Sequence, residues 1–324
     1  MRILITGGAG FIGSHIVDAC LSADHEPFVI DDLSSGLREN LPPGVPLFVA
    51  DICDGDRVAA CFEEVRPDAV CHQAAQISVS RSVREPIFDA QVNLLGLLQI
   101  CTNAVRCATP RIVFASSGGV LYGDVYSPAK EDVPANPISP YGIAKWASEQ
   151  YLKFFAREHG VTAVALRYAN VYGPRQNPHG EAGVVAIFTQ RLLQGEPACI
   201  NGDGKYDRDY VYGPDVAQAN VLALTQPLST GFHAFNIGTG NPTDVNRLAA
   251  LVREEVIASF QREGRPCHYP ELQSRPHRPG DLRSSILDAS LAADSLGWQP
   301  RKPFDEGVRE TVAWFVKQKS TSQL

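Results

Sequence analysis

Ile3-Leu4-Ile5-Thr6-Gly7-Gly8-Ala9-Gly10-Phe11-Ile12-Gly13 is the stretch that decides the fold. Its apolar start reads as a buried strand, its glycines as a tight turn and its end as the opening of a helix. In that order the three form a dinucleotide-binding fingerprint. Gly7 permits the turn, Gly10 lets a pyrophosphate approach the backbone, and Gly13 lets the helix pack closely on the strand. Phosphates then meet the free N–H groups of the helix start. Three glycines alone also serve ordinary turns, so the surroundings decide. Residues 26–30 read as the next strand and end in Asp31. A carboxylate there accepts the ribose hydroxyls of NAD and repels the additional phosphate of NADP, and Asp32 beside it acts in the same sense.

Working outward, short apolar runs alternate with helical patterns: strand 47–50, helix 56–65, strand 69–73, helix 89–107 and strand 111–116. This alternation predicts an α/β fold, a Rossmann-type doubly wound parallel sheet. A helix over 141–159, introduced by Ser139-Pro140, and a buried strand over 162–167 continue it. Beyond Asn170 the regularity fails, and the loops GPRQNPHGEAG, NGDGKYDRDY and RPHRPGD alternate with single helices. That pattern predicts a smaller, ligand-closing lobe. The expected division is an NAD-binding domain over 1–170, with a return to it over about 210–238, and a substrate lobe in the remainder of 171–324.

With 324 residues, 44% of them hydrophobic, the chain can bury a large core. Its net charge of −7 argues against a nucleic-acid or membrane-surface partner. The apolar run before the glycines does not read as a signal-peptide core, and no segment reaches the length of a membrane span. The eight cysteines (20, 53, 61, 71, 101, 107, 199 and 267) form no CxxC pair, so free thiols are expected. The expected setting is the cytoplasm. His179 and His277 lie in polar loops without metal-ligand spacing, so no metal is assigned. His72, between a strand and Ala74-Ala75, reads as a structural histidine.

The candidate chemistry lies in Tyr141-Gly142-Ile143-Ala144-Lys145, where a spacing of four places phenol and ammonium on one helical face. A tyrosine that acts as a base needs a nearby positive charge to favour phenolate. By itself the pattern is commonly a chance surface pair; after a dinucleotide fingerprint and a run of βα units it reads as catalytic. Ser116 and Ser117 end the preceding strand, at the sheet edge where open α/β proteins bind ligands. There Ser117 can share a proton between Tyr141 and a substrate.

At this point the chain resembles the extended short-chain dehydrogenase/reductases, and within them the UDP-glucose 4-epimerases. The resemblance rests on TGGAGFIGSH (6–15), DDLSSG (31–36), HQAAQ (72–76), VNLLG (92–96) and ASSGGVLYG (115–123). SPYGIAK (139–145), LRYANVYGPRQ (166–176), RDYVY (208–212) and RPGDLR (278–283) extend it along nearly the whole length. It implies that NAD is held by Gly7, Gly10, Phe11, Ile12, Gly13, Asp31 and Asp32. Ser34, Gly36, Asp51, Ile52, Ala74, Ala75, Gln76 and Asn93 complete that site, with Tyr141 and Lys145 at the nicotinamide end. Asn170, Val184, Arg208, Tyr210, Arg278 and Asp281 are implied to hold the UDP part of a UDP-sugar. Arginine forks suit a diphosphate. Ser285 stands where some relatives place a tyrosine that narrows the sugar pocket, which implies room for an N-acetylated sugar.

The implied reaction is inversion at carbon 4 of a UDP-hexose through a 4-keto sugar, with Ser117, Tyr141 and Lys145 as the catalytic set. A UDP-hexuronate epimerase stays open as an alternative. A nucleotide-sugar dehydratase or decarboxylase on the same scaffold is a further alternative, and dehydration is disfavoured because Gly118 and Gly119, which move no protons, follow Ser117. A non-catalytic NAD-binding scaffold would be expected to have lost Tyr141 or Lys145. Three positions depart from many relatives: Asp32, Asn201 and the pair Gly213-Pro214. Helices 89–107 and 141–159 carry more apolar residues than one buried stripe uses, and in this family they pair as a four-helix bundle. A homodimer is therefore expected.

Overall fold

Alternate side chains of the first strand, β1 (Arg2–Thr6), enter opposite cores: Ile3 and Ile5 on one side of a sheet, Leu4 on the other. A strand buried on both faces needs a continuous apolar run, as Ile3-Leu4-Ile5 supplies. The structure is a computed structural model that describes residues 1–125, 127–178, 183–264, 272–276 and 282–321. After the glycine turn come α1 (Phe11–Ser22), β2 (Glu26–Asp31), β3 (Leu47–Val49), α2 (Gly55–Val65) and β4 (Ala69–His72). Next are α3 (Val79–Arg84), α4 (Pro86–Ala90), α5 (Gly96–Arg106), β5 (Arg111–Ser117), α6 (Gly118–Leu121), α7 (Pro140–His159) and β6 (Thr162–Tyr168).

The seven-stranded sheet has the order β10-β6-β5-β4-β1-β2-β3, with β10 (Phe232–Ile237) reached through α9 (Gly213–Thr225). Every neighbouring pair in it is parallel. The order reverses between β1 and β4, which opens a crevice at the carboxyl ends of those strands. The glycine turn, Asp31, Ala74 and Ser117 all lie at that edge.

The helix expected over 89–107 is instead α4, a π-helical turn at Gln91–Leu95, and α5. Within that turn the Asn93 carbonyl accepts a hydrogen bond from Ser148 Oγ of α7 at 3.2 Å. α7 begins where its sequence signals place it: Ser139 Oγ accepts from the Gly142 N–H at 3.2 Å and Pro140 occupies the first turn.

The remaining elements are β7 (Asn170–Tyr172), α8 (Val184–Leu193), β8 (Cys199–Asn201), β9 (Asp207–Tyr212), β11 (Pro242–Thr243), α10 (Val245–Arg262), β12 (Gln273–Arg275), β13 (Ser284–Ser285), α11 (Ser290–Leu296) and α12 (Phe304–Thr321). β9 is the organiser, pairing with β7, β11 and β13. A third apolar core, including Phe188, Tyr210, Leu248 and Val312, gathers α8, β9, α10 and α12. Among the described residues no helix is long and apolar enough to cross a membrane, and the seven described cysteines are free.

Candidate active site

The glycine turn is closed by geometry that only glycine allows. Gly7 has φ of +68°, and a Cβ on it would lie 2.7 Å from the Ala74 nitrogen. A Cβ on Gly13 would lie 2.1 Å from the Gly7 carbonyl oxygen, so α1 reaches the strand only without one. Thr6 Oγ1 then ties the two sides of the crevice, accepting from the N–H groups of Gln73 and Ala74 at 3.2 Å each and bonding His72 Nδ1 at 2.7 Å. Burial holds His72 far below the ordinary histidine range, at about 3, and Lys145 adds to the effect.

Asp31 accepts from the Ala9 N–H at 2.9 Å through one oxygen and from the Leu33 N–H at 2.9 Å through the other. Each oxygen keeps a lone pair for a further donor. Burial pushes its pKa up, and the N–H groups of Leu33 and Ala9 pull it back. Asp32 is exposed and takes the N–H and hydroxyl of Ser34 at 2.9 and 2.7 Å. Gly36 lies against the Asp31 carboxylate and Ile52 is buried below Gly96. Asp51 is exposed at the same end of the sheet. Gln76 and Asn93 clasp each other: Asn93 Oδ1 accepts from the Gln76 N–H and Asn93 Nδ2 donates to the Gln76 carbonyl, both at 3.0 Å.

At the other end of the crevice, Lys145 Nζ donates to the Ala115 carbonyl at 2.8 Å and lies over the rings of Phe114 and Tyr141, at 4.7 and 5.7 Å. Burial pulls its pKa down from 10.5 to about 8, opposed by the Asp89 carboxylate. The Tyr141 phenol departs from expectation. In the protein alone its pKa is raised, first by burial and then by Asp89, while hydrogen bonding with Ser117 pulls the other way. Positive charge brought beside the phenol would act against that desolvation.

Three polar groups meet beside this pair. A Cβ on Gly119 would lie 3.4 Å from Asn170 Oδ1, 3.8 Å from Ser285 Oγ and 3.9 Å from Ser117 Oγ. Strand pairing brings them there: β13 sets Ser285 beside Arg208, and β7 sets Asn170 beside Tyr210. Asp209, fully buried, fixes the junction by accepting from Thr239, Gly240 and Leu287. Two serine hydroxyls and an amide thus converge on Gly119, with Ser117 hydrogen-bonded to the Tyr141 phenol, groups that can exchange a proton with a hydroxyl.

A model for the NAD dependent epimerase/dehydratase family matches residues 3–238. The chain belongs to that family. It is 46% identical to a UDP-glucose 4-epimerase from Thermotoga maritima solved with UDP-glucose, with a TM-score of 0.91 over 98% of this chain and 100% of that one. It is 45% identical to the Thermus thermophilus UDP-glucose 4-epimerase in complex with NAD, with a TM-score of 0.89 over 98% and 99% of the two chains. It is also 35% identical to a UDP-N-acetylglucosamine 4-epimerase from Methanobrevibacter ruminantium in complex with UDP-N-acetylmuramic acid, with a TM-score of 0.87 over 98% of both.

The cofactor of this NAD-dependent enzyme fits the residues present, since the cradle at Gly7 and Gly13 admits no Cβ and Asp31 retains acceptor capacity. Of the residues expected at the substrate, Val184 opens α8 after Gly183, and Arg208 donates to the carbonyls of Asp207 and Leu282 at 2.9 and 2.6 Å. The Tyr210 ring is buried and lies against Phe304, with ring centroids 5.4 Å apart. Arg278, Asp281, His179 and His277 lie outside the described residues. Gly213-Pro214 acquires a meaning: a Cβ on Gly213 would lie 3.2 Å from the His15 ring and 3.3 Å from that of Phe11, while Pro214 occupies the first turn of α9. The departure lets α9 sit directly against the start of α1.

Sequence reading missed Asp89, Glu149 and Arg167. Asp89 is buried and accepts from Gln76 Nε2 and Asn93 Nδ2 at 2.8 and 2.9 Å. Its local mark is Asn93 at the i+4 position. Glu149, four residues beyond Lys145 on the same helical face, had a spacing signal that could have found it.

Proposed function

We propose that this protein is an NAD-dependent UDP-glucose 4-epimerase, interconverting UDP-glucose and UDP-galactose. The observation that carries the reading is the space at Gly119 bounded by Ser117, Asn170 and Ser285, beside Tyr141 and Lys145. NAD, when bound, supplies the hydride acceptor at carbon 4 and a positive charge near the phenol. Tyr141 takes the proton of the 4-hydroxyl, directly or through Ser117, and returns it after the sugar has turned. Lys145, held by the Ala115 carbonyl, fixes the nicotinamide ribose and keeps its charge beside Tyr141. The glycine turn, Asp31, Gln76 and Asn93 hold the dinucleotide, and Asn170, Val184, Arg208, Tyr210, Arg278 and Asp281 hold UDP. Binding energy placed on the nucleotide leaves the sugar free to rotate.

A dehydratase needs an acid–base residue next to the catalytic serine, and glycine stands there. Ser285 in place of a larger side chain supports acceptance of UDP-N-acetylglucosamine as well. The domain division at about residue 170 follows the same reading, with α9 and β10 returning to the NAD-binding sheet. A homodimer is proposed through α7 and the α4–π–α5 segment. Ile143, Trp146, Tyr151 and Phe154 form an exposed stripe on α7, flanked by Val83, Ile87 and Leu95. Free cysteines support a cytoplasmic setting. The test is incubation with UDP-galactose without added cofactor: conversion to UDP-glucose supports the reading, and an elimination product or silence refutes it.

A further inference from the structure

We propose that the buried Glu149–Arg167 pair is a positioning device for proton transfer, locking the helix that carries Tyr141 to the strand end that carries Ser117. The proposal rests on the roles given above to Tyr141 and Ser117. Tyr141, Lys145 and Glu149 recur every four residues along α7 and so share one face. Glu149 is fully buried, and its carboxylate accepts three hydrogen bonds. Oε1 takes Ser116 Oγ at 2.6 Å and Arg167 Nε at 3.0 Å, and Oε2 takes Arg167 Nη2 at 2.7 Å. Ser116 is the residue before Ser117 in β5, and it pairs with Arg167 in β6. One carboxylate therefore joins the catalytic helix to two adjacent strands immediately below the reacting edge.

The bonds continue outward. Arg167 Nη1 donates to Tyr122 Oη at 2.7 Å and to the Glu131 carbonyl at 3.0 Å, and Tyr122 Oη donates to Asn236 Oδ1 at 2.8 Å. Asn236 Nδ2 donates to the Asp288 carbonyl at 3.1 Å, three residues past Ser285. The same network thus reaches the segment that bounds the sugar space. Stability is a poor explanation for such an arrangement, because replacing a buried ion pair with apolar groups is often neutral or stabilising. A bidentate guanidinium–carboxylate fork instead admits one geometry, where an apolar contact would let α7 shift along the sheet. Proton transfer between Tyr141, Ser117 and a sugar hydroxyl tolerates little such shift.

The test uses the full-length, NAD-loaded enzyme with Ser116→Ala, Glu149→Gln and Tyr141→Phe side by side. Ser116→Ala removes one bond to Glu149 and leaves the ion pair, so it folds and decides the matter even where Glu149→Gln does not. Ser116→Ala is expected to lower kcat about tenfold, and Glu149→Gln about a hundredfold, the range for misplacing a reacting group by up to about 1 Å. KM for UDP-galactose and bound NAD should stay at the parent values, and the solvent deuterium isotope effect on kcat should rise. A purely structural pair would lower the unfolding temperature without that split. A Ser116→Ala enzyme with unchanged kcat and isotope effect, beside an inactive Tyr141→Phe, overturns the positioning role alone. An active Tyr141→Phe overturns the underlying assignment of the base, and this proposal with it.

Discussion

Gly119→Ala separates folding from chemistry at the place where the site's polar groups meet. The added methyl would lie 3.4 Å from Asn170 Oδ1, 3.8 Å from Ser285 Oγ and 3.9 Å from Ser117 Oγ, all ordinary van der Waals distances. No neighbour has to move. Gly119 is the second residue of α6, where alanine in place of glycine favours the helix by about 0.5–1 kcal/mol. The fold should therefore be kept or slightly stabilised. The sugar space, however, loses the volume of one methyl between the catalytic serine and its two partners. One methylene of misfit in a binding pocket costs about 1–3 kcal/mol, or roughly 10- to 200-fold in kcat/KM. The assay is initial-rate conversion of UDP-galactose, with thermal midpoint and bound NAD measured on the same sample. The expected result is a loss in that range with midpoint and NAD content unchanged. Gly13→Ala is the counterpart, since its Cβ would stand 2.1 Å from the Gly7 oxygen and must push α1 away, losing NAD and stability together. If Gly119→Ala keeps kcat/KM within about twofold of the parent, well below the cost of a methylene, the space does not hold the reacting sugar.

Tyr141→Phe should keep the fold and bound NAD and lose about 10²–10⁴-fold in turnover, read by the same conversion assay. Ser285→Tyr should suppress turnover of UDP-N-acetylglucosamine while sparing UDP-galactose; equal slowing of both, or a parent enzyme inert toward the N-acetylated sugar, removes Ser285 as the gate. His15 and His72 are held neutral by burial, at about 4 and about 3 against 6.5 when unfolded, so the unfolded chain binds more protons below pH 6.5. Stability should then be fully present above that value and fall as pH drops, by about 2 kcal/mol per histidine between pH 6.5 and 5. Urea midpoints at pH 7 and pH 5 check this, and His15→Gln should lose less than the parent over the same interval.

Local signals carried most of what was legible in the sequence. The glycine turn, the capped start of α7 and the Tyr141–Lys145 spacing each depend on residues within a few positions of one another, and each stands where its pattern places it. The π turn at Gln91–Leu95 was not legible from local pattern, and the serine that meets its Asn93 carbonyl, Ser148, lies on another helix. Asp89 was hidden because a carboxylate in the first turn of a helix ordinarily faces water, whereas this one is buried, with donors four residues on at Asn93 and thirteen residues back at Gln76. The desolvation of the phenol was not legible, because spacing reveals the ammonium four residues on but not the burial around the ring. The packing of the Tyr210 ring on Phe304 was not legible, because the two residues meet only when β9 and the start of α12 come together. Gly213-Pro214 made sense only once Phe11 and His15 were seen against it.

The most direct test of the central claim is to add UDP-galactose, and separately UDP-glucose, to the purified protein with no added cofactor and follow both sugars to equilibrium. The two reactions are expected to converge on the same mixture, with no net build-up of NADH and with Tyr141→Phe nearly inert. A 4-keto-6-deoxy sugar, NADH formed in step with substrate consumed, or no change in either sugar would contradict it.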